Sequence, residues 1–112
     1  MGEFGRRFPP LWYVRVVMPL VFLKTPFVKE PPLAVWLQCR DTDTRGASVD
    51  CRVISTVLTQ HCGAGGLENQ ELLRAFDEHR ARIENMAQRK YAAGEVERVN
   101  GRIVVWLHSA DF

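Results

Sequence analysis

Excess charge of either sign is missing from this sequence. Its 112 residues carry 15 Lys and Arg against 13 Asp and Glu, a net charge of +2. Affinity for a polyanion grows with excess positive charge, so this balance argues against nucleic acid. From Met18 onward the count is 12 basic and 12 acidic residues. Long apolar runs are missing too. Leu11 to Leu23 spans about 13 residues, interrupted by Arg15 and Pro19, whereas a membrane-spanning helix needs roughly 20. No small-x-small cleavage site follows that would make the run a signal peptide. Cysteine is scarce and odd in number, with no Cys-x-x-Cys. Cys39, Cys51 and Cys62 therefore read as reduced thiols of a cytoplasmic protein rather than a disulfide framework.

Motifs for chemistry are equally absent. Cys39, Cys51, His61 and Cys62 have no structural-zinc spacing, and no cysteine sits in a local motif with His61, His79 or His108. The two strand cysteines read as small core residues. Gly63-Ala64-Gly65-Gly66 precedes a helix but lacks the Lys-Ser/Thr of a phosphate loop and the G-x-G-x-x-G spacing, so it reads as a cap and a linker. There is no internal repeat. Catalytic residues, cofactor and metal are all expected to be none. What remains is ordinary globular usage, 46% hydrophobic and 25% charged, in a length that suits one domain.

The most legible stretch is Asn69 to Gly94. Leu72, Phe76, Ile83 and Ala87 recur at helical spacing, widened by Leu73, Met86 and Tyr91, and predict one long amphipathic helix. Asn69 is the expected N-cap and Gly94 the expected C-terminal stop. Glu71 and, at the other end, Arg89 and Lys90 suit the helix dipole. Glu78 and Arg82 form an i,i+4 pair. Arg74, Asp77, Glu78, Asn85, Gln88 and Arg89 fall on the far face and are expected in water. His79 and Arg80 land at the edges of the apolar stripe and Lys90 inside it. Either their stems snorkel along the core, or they mark a polar site at the seam between helix and sheet.

Alternation predicts two hairpins. Val35, Leu37 and Cys39 share a face, as do Val49, Cys51 and Val53. A five-residue loop then pairs Cys39 with Val49, Leu37 with Cys51 and Val35 with Val53. Asn100-Gly101 is a strong type I′ turn signal. It pairs Val99 with Arg102, Arg98 with Ile103 and Val96 with Val105. Between the hairpins Ser55 opens a short helix that Gly63 ends. Residues 1–17 are expected to be a non-core N-terminal extension or an over-extended start, ahead of a single domain at 18–112.

The run Ala75 to Ile83 (AFDEHRARI), with Arg89-Lys90-Tyr91, the ending SADF and the preceding VDCRVISTVLTQHCGA, resembles the small bacterial domain-of-unknown-function family DUF1488 over roughly residues 33–112. That resemblance implies a small α+β protein with no assigned activity. It also implies a start near Met-Pro-Leu, such as Met18-Pro19-Leu20, from which the first 17 residues depart.

The expected architecture is a two-layer α+β domain in the order β-β-α-α-β-β. Two hairpins form an antiparallel four-stranded sheet, with one long and one short helix on one face. The expected core is Val35, Leu37, Cys39, Val49, Cys51, Val53, Leu58, Leu72, Phe76, Ile83, Ala87, Tyr91, Val96, Ile103, Val105 and Leu107. One helix layer covers one side of such a sheet, so Trp36, Arg52, Val99, Val104 and Trp106 would be left on the other. Two sets of binding candidates follow: Trp36, Arg52, Val104 and Trp106 on the sheet face, and His79, Arg80 and Lys90 at the helix seam. The function expected is a non-catalytic interaction or self-association module. Its partner would be a second copy in a homodimer or another protein, rather than nucleic acid or a membrane. A nucleic-acid accessory protein is the second reading and an enzyme the third. The sheet face is covered either by a partner chain or by the segment Leu20 to Phe27.

Overall fold

The computed structural model describes residues 19–23, 25–42 and 47–112; the expectations for residues 1–17 lie outside them. Among the described residues the chain runs β1 (Leu20–Phe22), β2 (Phe27–Lys29), β3 (Ala34–Asp41), β4 (Ala47–Ile54), α1 (Ser55–His61), α2 (Asn69–Glu78), α3 (Arg80–Ala92), β5 (Glu97–Val99) and β6 (Arg102–Leu107). A 3-10 turn, Ser109–Asp111, follows.

Both hairpin registers are those the alternation implies. Cys39 pairs with Val49, Leu37 with Cys51 and Val35 with Val53. Val99 pairs with Arg102 and Arg98 with Ile103. Asn100 and Gly101 take φ of 51° and 80°, the two positive values a type I′ turn requires. Val96 stops short of pairing and packs at the rim of the core instead.

The four-stranded antiparallel sheet is overturned. Six strands form one mixed sheet in the order β1-β3-β4-β6-β5, with β2 also on β3. The hairpins join through a parallel pair, in which Val49 meets Ile103, Cys51 meets Val105 and Val53 meets Leu107. The sequence carries the reason. β6 reads RIVVWL and β5 reads ERV. A nearly continuous apolar strand belongs inside a sheet, where both its faces are covered, and a charged one belongs at an edge. A parallel neighbour needs a long crossover, and the helices between β4 and β5 supply it. The other two strands come from the N-terminal arm. Leu20 to Phe22 pairs with the far end of β3 and Phe27 to Lys29 with its near end. The arm therefore lies in the plane of the sheet, not across its second face.

The long helix is also corrected, into two. His79 takes φ −114° and ψ 19° and divides α2 from α3. Its N–H is shared between the carbonyls of Ala75 and Phe76, each at 3.2 Å. Its ring Nδ1 lies 3.2 Å from Ala75 O. A side chain competing for the i−4 carbonyl is a known cause of a kink where no proline is present. Asn69 is a helical residue rather than the cap; Glu68 precedes the helix, with no side-chain cap bond. Glu71 instead reaches back to accept Gly65 N–H at 2.8 Å. Arg74 bonds Glu71, Glu78 and the Gly63 carbonyl, so Glu78 pairs one turn earlier than expected. The far end closes as foreseen. Gly94 has φ of 77°, Gly94 N–H donates to Tyr91 O and Glu95 N–H to Lys90 O, the two bonds of a Schellman cap.

The core lies between the helices and the face of Val35, Leu37, Cys39, Val49, Cys51, Val53, Val105 and Leu107. Every residue of the expected core is in it, with Tyr91, Val96 and Ile103 half-buried at the rim. Gln88 is the exception to the expected polar face: it is buried. No helix of the described residues is long and apolar enough to cross a membrane.

Candidate functional site

Strand parity decides which side chains meet on the face away from the helices. Phe27 sits opposite Trp36, Trp36 opposite Arg52, and Arg52 opposite Trp106. These four form one row across β2, β3, β4 and β6. The next row carries Gln38, Asp50, Val104 and Glu97. The structure thus brings Trp36, Arg52, Val104 and Trp106 together as expected.

They do not lie bare. The Arg52 guanidinium carbon sits 3.6 Å from the centre of the Trp36 ring and 5.2 Å from that of Trp106. Lys29 Nζ lies 4.7 Å from the Trp36 ring, and the Phe27 ring leans on Trp36 at 5.8 Å. His108 stacks on Trp106 at 6.2 Å. Cations over indole faces are attracted by the ring quadrupole, the more so when desolvated. Arg52 is consequently buried; Val104, in the next row, is buried too, and both tryptophans are half-buried. Arg52 Nε and Trp36 Nε1 find no hydrogen-bond acceptor among the described residues.

Asp50 anchors the charged part of the face. Its carboxylate accepts from Arg102 Nε at 2.9 Å and Nη2 at 2.7 Å, and from Arg52 Nη2 at 3.3 Å. Burial alone would raise its pKa, but the bonds and charge of Arg102, then of Arg52, outweigh burial and hold it below the usual value.

The exposed apolar groups on this face are Phe27, at the end of this row, and Val21 and Leu23 beside it. Val21 and Leu23 are 49% and 38% exposed and Phe27 is 37%. Val21 pairs with Arg40, and Leu23 N–H donates to Gln38 O. The same parity puts all three on the face of Trp36. Toward the other edge the face is hollowed. Two adjoining hollows of about 260 and 230 Å³ share Glu97, Trp106 and His108 as walls. Val104 lines the first, and Pro32 and Ile54 line the second.

The helix-seam residues are not one site. Arg80 donates to Leu23 O at 2.9 Å and to Glu84 at 2.7 Å, beside the arm. Lys90 Nζ donates to Trp106 O at 2.7 Å and to Asp111 at 3.0 Å, beside β6. His79 is occupied with its own helix. Arg80 thus ties α3 to the arm at one edge of the sheet, and Lys90 ties it to the interior strand β6. The cysteines are free and buried. Burial pushes the Cys39 thiol up to about 12 and Cys51 well above its ordinary value, the reverse of an activated thiolate. Among the described residues no group of three or more His, Cys, Asp or Glu could hold a metal ion.

The family model for DUF1488, proteins of unknown function, matches residues 43–105. The chain belongs to the DUF1488 family. The DUF1488 match is narrower than the stretch over which the sequence resembles the family. It takes in Asp50, Arg52, Gln88 and Val104 but begins after β3, so Val21, Leu23, Phe27 and Trp36 lie outside it. No curated protein and no solved structure matches the chain.

Proposed function

We propose that this DUF1488 protein is a non-catalytic interaction module that presents the sheet face opposite its helices to another protein. One observation carries the reading. Three of the four large apolar side chains that are exposed among the described residues, Val21, Leu23 and Phe27, lie together on that face. They adjoin Trp36 and Arg52, residue types enriched at binding hot spots. Contiguous exposed apolar groups mark contact surfaces more often than scattered ones do. Removing them from water is worth roughly 25 cal/mol per Å².

The nucleic-acid reading is weaker on the same geometry. Bases stack on open aromatic faces, and Arg52 and Lys29 already hold the ring of Trp36. Three free, buried cysteines support a reducing, cytoplasmic setting.

Crosslinking in cells followed by purification of the full chain tests the reading. Wild type, Phe27→Glu on the sheet face and Asp77→Lys on the solvent side of α2 are compared. The crosslinked protein should appear with wild type and Asp77→Lys and vanish with Phe27→Glu, whose circular dichroism stays native. Persistence with Phe27→Glu, or loss with Asp77→Lys instead, contradicts it.

A further inference from the structure

The sheet face is electrically divided. Its β1–β2–β3 half carries the exposed apolar group together with Lys29 and Arg40, which register places on the same face. Its β5–β6 half carries the hollows, with Glu95 and Glu97 among their walls; Lys90, which also lines the larger one, has its charge paired with Asp111. Between them the charges of Asp50, Arg52 and Arg102 are bound to one another. One half is thus convex in chemistry, apolar side chains flanked by cations. The other is a cavity of about 260 Å³ whose unpaired charges, among the described residues, are the carboxylates of Glu95 and Glu97.

We infer that the occupant of this face is a second copy of the chain, turned about a twofold axis that runs along the strands between the two sheets. This inference rests on the interaction-face reading above. Such an axis lays the basic, apolar half of each copy on the acidic, hollowed half of the other, and makes the contact twice. A twofold axis across the strands would lay basic on basic and acidic on acidic. A closed twofold contact also uses one patch on both copies and leaves no sticky surface over.

The size fits a weak contact. Strands spaced about 4.8 Å apart and rising about 3.3 Å per residue, over the 31 residues of the six strands, give roughly 500 Å² per copy. That is about 1,000 Å² in total, the size of weak, transient interfaces. A reversible dimer follows, one that weakens with salt because its specificity is carried by rim charges.

Charge reversal of each half tests the geometry by sedimentation and light scattering of the full chain. Lys29→Glu with Arg40→Glu makes both halves acidic. Glu95→Lys with Glu97→Lys makes both basic. Wild type should dimerise at high concentration. Each variant alone should be monomeric, its dissociation constant raised more than about a hundredfold. An equimolar mixture of the two should restore a dimer of one copy of each, which also shows that both are folded. A wild type that stays monomeric overturns the second copy while leaving the face reading to its own crosslinking test. Variants that dimerise as well as wild type, or a mixture that stays monomeric, overturn the twofold arrangement.

Discussion

The side-chain amide of Gln88 stands beside Leu20 as a further strand would. Leu20 N–H donates to Gln88 Oε1 at 3.0 Å, and Gln88 Nε2 donates to Leu20 O at 2.8 Å. The open edge of β1 is thereby closed from α3. An unpaired edge is a template for unwanted pairing, so this pair both fixes the arm and blunts it. Gln88→Leu keeps the volume but leaves a buried donor and acceptor without partners. It should cost about 2 kcal/mol in urea melts and speed amide exchange at Leu20. An unchanged melt and unchanged exchange would show that the arm is held by its apolar contacts alone.

Phe76 is the largest fully buried side chain and lies on the helix stripe against the sheet. Phe76→Ala should lose about 3–5 kcal/mol, a large part of the stability of a domain this size. A loss under about 1 kcal/mol would mean that the site collapses around the truncation.

Gly101 has φ of 80° with open space where a Cβ would stand. The strain of a substitution there is one of backbone conformation rather than collision. Gly101→Val should cost about 1–3 kcal/mol, and Gly101→Asn markedly less, since asparagine tolerates that region. Equal losses for both would point to packing instead.

Alternation and the Asn-Gly turn were enough to read both hairpins, because register in a half-buried sheet is set by which residues must face inward. The joining of the hairpins was legible only in part. The contrast between ERV and RIVVWL is visible in the sequence, but it states a preference for edge or interior and not a direction of pairing. The break at His79 was hidden, because neither proline nor glycine marks it and the apolar spacing continues across it. Gln88 was misread because helical spacing describes one packing face, while the arm meets α3 on another. The sheet-face row was legible from parity. Its closure by Arg52 was not, since a long cation's resting place depends on both tryptophans at once.

Asp50 links stability to acid. Its folded pKa lies below the ordinary 3.8 because Arg102 and Arg52 outweigh the cost of burial. The stability it contributes is therefore present above about pH 4 and lost as pH falls through the lower folded value. Asp50→Asn should cost about 3 kcal/mol at neutral pH, as expected when one partner of a buried ion pair is removed. It should also flatten the fall in stability below pH 4. A variant that keeps the full acid slope would place that slope in other carboxylates.

The most direct test of the sheet face as the contact between two copies is hydroxyl-radical footprinting of the full chain from sub-micromolar to near-millimolar concentration. The expected result is joint protection of Val21, Leu23, Phe27, Trp36 and Trp106 as concentration rises, while Leu67 and the solvent side of the helices keep their reactivity. Protection that falls on the helices, or that leaves those five residues as reactive at the highest concentration as at the lowest, would contradict it.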